Sequence, residues 1–330
     1  MSRRLALASF VLAACAASAG PAPTSSAPVA SATVSADPPV ATASPTVTAR
    51  APTPSGPLTL SEARRYMLEL INRDRATEHL APVALDEGVA SRAGQAHAED
   101  MAHLGYLGHW GSDGSTPEQR ITEAGGADVD FENAYCVTDE KTRPLDPSPR
   151  FDRAEIERAE SMFFGEKPPN DGHRKTILGK WRKRVGIGIA LARPVGNEIL
   201  VPCISQEFVD TYGTYDALPK SIKAGRTLHV AGTLENDVRV GAVGIVKLDD
   251  PKPLPVAELN RRRNYPQPEP SEMFWPHGFK TRIELQTSGQ HFSIDIPMPS
   301  ARGTYEISVW AQHPGERSFG AVSLRTVRLD

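Results

Sequence analysis

The spacing of apolar residues in this 330-residue chain turns from mainly helical to alternating near Leu218, and that change limits the fold more than any single motif. Before it, apolar residues recur at three- and four-residue steps, as on one face of a helix. Ala63, Met67, Leu70 and Ile71 form one such stripe. Val89, Ala93, Ala96, His97, Met101 and Leu104 form another. After it, alternate residues are apolar. Leu228, Val230 and Leu234 share one phase, as do Ile283 and Leu285. Phe292, Ile294 and Ile296 repeat the pattern, and so do Tyr305, Ile307, Val309 and Ala311. The chain therefore reads as α+β, with a helix-rich part over 58–216 and an all-β part over 217–330.

At least six strands and no long helix in the second part predict an immunoglobulin-like β-sandwich. Its last run, Phe319 to Leu329, slips phase between Leu324 and Val327, which predicts a bulge there. Lys247 to Phe279 is a Pro-rich excursion carrying Phe274, Trp275 and Phe279. It reads as a cover over one sheet or as a binding loop.

Both parts follow an export segment. Arg3 and Arg4 precede the apolar run Leu5 to Leu12, and Leu12-Ala13-Ala14-Cys15 matches a lipoprotein cleavage box. Residues 1–15 then form the signal, and Cys15 carries the lipid that anchors the protein to a bilayer. Ordinary secretory cleavage near Ala17 or Ala19 is the alternative. Residues 16–57 are nearly all Ala, Ser, Thr, Pro and Val, a tether that cannot bury a core. The expected place is the cell envelope, or the medium if the chain is simply secreted. Of three cysteines, Cys136 and Cys203 remain. They read as a disulfide or as two buried thiols. A net charge of −3 gives no bulk attraction to nucleic acid. A monomer is expected.

In the first part Ser61 reads as the cap of a helix, with Glu62 in its first turn. Asp86 opens a second helix, broken by Gly105 and Gly108. His109 then stands on a loop beside Trp110, before the start signal Ser115-Thr116-Pro117. Helices over Arg153–Phe164 and His173–Leu178 follow. Val185 to Ala192 and Ile199 to Val209 read as a strand pair joined through the loop Arg-Pro-Val-Gly-Asn. Gly186 and Gly188 leave one face of the first strand bare, so a helix can lie close. His97 reads as a packed helix residue, His103 as a surface one, and Arg182, Lys183 and Arg184 as a solvated face.

Several segments occur in a telling order: Asn72-Arg73-Asp74-Arg75, AHAEDMAHLGYLGH, DGSTPEQR, ENAY, GHRKTIL, VGIGIA and Gln206-Glu207-Phe208. Together they resemble the bacterial branch of the CAP superfamily, named for cysteine-rich secretory proteins, antigen 5 and pathogenesis-related 1 proteins. The resemblance covers about residues 60–213. It implies an α-β-α sandwich with a small antiparallel sheet and a cleft ringed by two histidines and two glutamates. Matched position by position, these are His109, Glu132, His173 and Glu166, the last from Phe163-Phe164-Gly165-Glu166. The chain departs from the pattern at Ala134 and by the insertion from Cys136 to Arg150. The insertion would let Cys136 be stapled to Cys203.

In that reading His109 and His173 are the metal-ligand candidates, for zinc or another divalent ion. Glu132 and Glu166 would orient the imidazoles, or act as the catalytic carboxylates of a hydrolase. Asn133 and Arg174 would complete the cleft. The first functional expectation is binding of a small apolar or peptide-like ligand. The alternatives are a metal-dependent hydrolase of envelope or secreted substrates, and a structural or adhesive module acting through the β-sandwich.

Overall fold

The computed structural model describes residues 56–235 and 237–330. The export segment, Cys15 and the tether up to residue 55 lie outside the described residues. Helix α1 (Leu60–Thr77) is capped by Thr59 rather than Ser61. Thr59 Oγ1 accepts from the Glu62 amide, and Glu62 accepts in return from the Thr59 amide, a reciprocal capping box. After strand β1 (Ala84–Leu85), helix α2 (Val89–Leu104) begins behind Gly88, two residues later than the sequence suggests. Asp86 instead accepts from the Gly88 amide and shapes the turn into the helix. There follow α3 (Pro117–Glu123), β2 (Val129–Tyr135), α4 (Arg153–Phe164) and α5 (Gly172–Ile177). Strands β3 (Arg184–Ala190) and β4 (Cys203–Asp210) close this half. Residues 199–202, expected in the last strand, lie outside it, and Ile199 is exposed.

These strands form one sheet in the order β1-β3-β4-β2, antiparallel except for β1 against β3. The two-residue alternation of β3 decides how helices cover it. Val185, Ile187 and Ile189 face a core shared with Met67, Leu70 and Ile71 of α1 and with Ile156 and Phe163 of α4. Gly186 and Gly188 face α2, which rests directly on them. A β-carbon on Gly188 would lie 2.0 Å from the Gly94 carbonyl oxygen. Because β1 is short, the edge of β3 is left open, and α2 closes it. Ser91 Oγ accepts from the Ile187 amide at 3.1 Å, and Gln95 both accepts from and donates to Ile189. Helices thus lie on both faces of the sheet, in three layers. Cys136 and Cys203 form a disulfide that ties the insertion to the start of β4.

The motif Asn72 to Arg75 is a brace. Asn72 exchanges two hydrogen bonds with Val83, and buried Arg75 donates to the carbonyls of Ala81, Ile177 and Gly179. Arg182, expected in solvent, is an inner group as well. It donates to Asp210 at 2.6 Å and lies over the Phe131 ring at 3.5 Å.

The second half holds β5 (Gly213–Tyr215), β6 (Ser221–Ile222), β7 (Thr227–Leu234) and β8 (Arg239–Lys247). It continues with α6 (Val256–Arg262), β9 (Glu272–Phe274), β10 (Gln286–Ser288) and β11 (His291–Pro297), then β12 (Gly303–Gln312) and β13 (Gly320–Leu329). Two sheets, β10-β11-β7-β5 and β6-β13-β12-β8-β9, enclose a single apolar core. β5 already belongs to this half, so its strands begin a few residues before 217. The ladder between β12 and β13 is regular through Leu324 and Val327, and its shift falls at Val309/Trp310. The apparent slip of phase is a change of face: Val327 and Leu329 point to the core, whereas Leu324 shares the face that meets α3. The halves also meet where Trp181 stacks on His313, ring centroids 4.4 Å apart.

Among the described residues no helix is long and apolar enough to cross a membrane.

Candidate functional site

Helix α2 ends at Gly105 in the left-handed conformation, and the chain turns back through Tyr106 to Gly114. Asp100 anchors both ends of this loop. It accepts from the Tyr106 hydroxyl at 2.6 Å and from the Ser112 amide and hydroxyl at 2.8 and 2.7 Å. The loop delivers His109 to β2, where its Nδ1 lies 2.8 Å from Glu132 Oε1. A carboxylate only accepts, so Nδ1 carries the proton and Nε2 is left for another group. The His109 side chain is 21% exposed, whereas Glu132 is 1% exposed.

Arg120 holds this pair together. Helix α3 starts at Thr116 with a capping box to Gln119, and Pro117 stands in its first turn. That start aims Arg120 inward. Its Nη2 donates to Glu132 Oε2 at 2.6 Å, and its Nη1 donates to the His109 and Ser115 carbonyls. His97 lies beneath, fully buried, with Nε2 donating to the Gly108 carbonyl at 2.8 Å and 3.7 Å from Glu132. Burial, reinforced by the Arg120 charge, lowers the His97 imidazole to about 4, so it is neutral. Burial by itself would raise the Glu132 carboxyl, but Arg120, His97 and His109 outweigh it and hold it well below its usual range.

Two more carboxyls share this face of the sheet. Glu207 of β4 stands directly across from Glu132, and Asp130 precedes it by two residues on β2. Burial and then the neighbouring negative charges push Glu207 well up; burial lifts Asp130 to about 7. The cluster therefore carries one secure anion, Glu132, matched by one secure cation, Arg120. Ser205 donates to Glu207 at 2.6 Å.

The second histidine–carboxylate pair forms where α4 gives way to α5. Glu166 follows the Gly165 cap, and its two oxygens meet the backbone amide and Nδ1 of His173, at 2.9 and 2.6 Å. The His173 ring lies 5.0 Å from the Phe163 ring, and its side chain is 33% exposed. Among the described residues no hydrogen bond or ion pair joins the two pairs directly. They are linked through β2. Asn133, next to Glu132 but on the opposite face, donates to the His173 carbonyl at 3.2 Å. Asn133 is fully buried and also donates to Gln206. Arg174 donates to the Phe164 carbonyl, two residues before Glu166, and to Glu78.

Gln206 in turn donates to Glu160 of α4 at 2.6 Å. Burial lifts the Glu160 carboxyl to about 8. In the unfolded chain it ionises near 4.5, so between these values the folded state holds a proton the unfolded state has lost. This contribution to stability is full below about pH 4.5 and is lost as pH rises towards 8. Urea unfolding at pH 5 and pH 8 should show less loss for Glu160→Gln than for the native chain, since glutamine keeps the acceptor and removes the ionisation.

The Pro-rich excursion takes a position that the sequence does not foretell. Its later part stays with its own half, where Phe274 enters the core and Trp275 meets the Phe319 ring edge-on, but the earlier part does not. It leaves β8, crosses to the first half, forms α6 and returns to β9. Asn260 Oδ1 accepts from the Leu107 amide at 3.0 Å, and the Arg263 carbonyl accepts from the His109 amide at 3.0 Å. The Leu254 amide donates to the Ser112 carbonyl, and the Tyr265 hydroxyl donates to Glu118 at 2.6 Å. Trp110 meets Tyr265 edge-on at 5.1 Å and lies under Arg262. Leu259 is buried in one cluster with Met101, Tyr106, Cys136 and Cys203. Gly114, at φ +86°, permits the approach, since a β-carbon there would lie 2.3 Å from the Lys252 carbonyl oxygen.

Sequence reasoning singled out His109, Glu132, Glu166 and His173 but missed Arg120, the part His97 plays, Glu207 and this strap. Glu207 was within reach: a carboxylate opposite Glu132 follows once β2 and β4 are paired in register. The strap was visible as a Pro-rich excursion, but its place against the His109 loop left no local signal.

No protein-family model matches this sequence, and no curated protein matches it. Among solved structures, the chain is similar to an extracellular protein containing a SCP domain from Bacillus anthracis str. Ames, with 19% identity and a TM-score of 0.34. That likeness covers 48% of this chain and 45% of the other. It is also similar to a chitin binding domain from Burkholderia pseudomallei, with 12% identity and a TM-score of 0.22, over 33% of this chain and 56% of that one. The chain spans about half the length of these solved structures.

Proposed function

We propose that this is an exported, lipid-anchored module of the CAP type whose two histidine–carboxylate pairs bind a small apolar or peptide-like ligand. One observation carries the reading. Each imidazole has its Nδ1 fixed by a carboxylate, which leaves Nε2, on a part-exposed ring, for an outside partner. Carboxylates behind histidines are the usual outer support of metal-binding imidazoles. The donor chemistry thus fits zinc or another divalent ion, with His109 and His173 as the holders. The number of donors does not fit a tight catalytic zinc, which usually has three protein ligands. Among the described residues no group of three or more His, Cys, Asp or Glu is placed to hold a metal. The metal would be weakly held, and would supply Lewis acidity when bound.

At Glu132, anchoring is favoured over general-base work. A general base works best when its pKa lies near the working pH. Glu132 is held far below that by Arg120, which suits it to anchoring an imidazole and not to taking a proton.

Zinc titration of the full chain, followed on the histidine ring nitrogens by NMR, tests the reading. Saturable uptake that perturbs both His109 and His173, and is lost in His109→Ala and in His173→Ala while the fold persists, is expected. Uptake unchanged by both substitutions would refute the metal version. Shifts confined to other histidines would refute the site.

A further inference from the structure

We infer that the second half of the chain is part of the His109 site, and that Asn260 is a positioning residue for it. The loop from Leu107 to Gly114 has few hydrogen bonds of its own, because it must turn sharply between α2 and α3. Three of its backbone groups are satisfied by the strap. The Leu107 and His109 amides donate to Asn260 and Arg263, and the Ser112 carbonyl accepts from Leu254. An amide shut off from water without a partner is costly, so these contacts select one loop conformation over its neighbours.

The strap is also seated by packing. Leu259 is 1% exposed among first-half residues, and Trp110 is flanked by Tyr265 and Arg262. His109 is thereby held from two directions. Arg120 and Glu132 fix its ring and carbonyl from the first half, and Arg263 fixes its amide from the second. Asn260 contributes through Oδ1 alone, since its Nδ2 is buried with no partner. Alanine removes that acceptor, whereas aspartate keeps it and sets a carboxylate oxygen where the buried Nδ2 stands.

The geometry of β8 and β9 permits a second, larger change. Ile245 pairs with Glu272, so the strap is the loop of a hairpin. A short Gly-Asn turn in place of residues 248–269 closes that hairpin and leaves both sheets paired.

The test uses the full chain as native protein, Asn260→Ala, Asn260→Asp and the strap-replaced variant. The readouts are amide hydrogen exchange at Leu107, His109 and His173, and zinc affinity. Exchange at Leu107 and His109 is expected to quicken about tenfold or more in Asn260→Ala and in the strap-replaced protein, and to quicken less at Leu107 in Asn260→Asp, which keeps the acceptor. The His173 amide, held by Glu166, should not change in any of them. Zinc affinity should weaken about tenfold in the same two variants, as for loss of an orienting outer contact. Native exchange at His109 in the strap-replaced protein would overturn the inference, as would native exchange at Leu107 in Asn260→Ala. The affinity arm rests on the ligand-site reading and the exchange arm does not. Absence of zinc uptake by the native protein would therefore count against that reading, and exchange would still decide the strap.

Discussion

Replacing Arg120 by leucine is expected to destabilise the protein by roughly 3–5 kcal/mol, the cost of stranding a buried charge. Glu132 is 1% exposed and its nearest cation is the Arg120 guanidinium at 2.6 Å. Without it the carboxylate faces Asp130 and Glu207 with only two imidazoles to offset it, one of them, His97, neutral. Two outcomes are open to the folded state: Glu132 takes up a proton, or the loop opens and admits water. Either loosens His109, whose carbonyl Arg120 also holds. Denaturant unfolding of Arg120→Leu, Glu132→Gln and the double variant isolates the pair. If the interaction is as described, Arg120→Leu costs much less in the Glu132→Gln background. Equal costs in both backgrounds would mean that the guanidinium acts by packing alone.

A comparable loss, about 3 kcal/mol or more, is expected for Gly188→Val, at the upper end for overpacked cores. The contact here is with backbone. A β-carbon at 188 meets the Gly94 carbonyl oxygen at 2.0 Å and the Gln95 nitrogen at 2.5 Å, so no rotamer change relieves it. Helix α2 has to lift off the sheet. Lifting it breaks the Ser91 and Gln95 hydrogen bonds to β3 and moves the helix end that launches the His109 loop. Thermal unfolding together with the His109 chemical shift reads both effects. A valine tolerated at 188 with native stability would show that α2 is not seated as described. The companion change Ile187→Val, on the opposite face, should cost only about 0.5–1.5 kcal/mol.

These two predictions differ in how far the sequence foretold them. The bare glycine face of β3 is visible in the alternation of Val185, Ile187 and Ile189 with Gly186 and Gly188, and the close helix follows from it. Arg120 is not visible in that way. A single arginine in a short helix reads as surface, and only the folded chain brings it 2.6 Å from a residue twelve positions on. Arg182 is the same case, read as solvated and found against Asp210. Charges misread in this manner share one cause. Periodicity reports which residues avoid water, and it says nothing of a charge whose hydration is replaced by a partner from another element.

Local pattern set the two halves, the helices of the first and the alternation of the second, whereas His109, Glu132, Glu166 and His173 were singled out by a resemblance in the order of several short motifs. Tertiary structure decided which carboxylate each imidazole meets, how Cys136 finds Cys203, and that residues 248–271 cross from one half to seat the loop of the other. The division has a physical reason. Helix and strand periods are written within a few turns of chain, whereas hydrogen bonds such as His109 to Arg263 join groups whose separation in sequence carries no periodic trace.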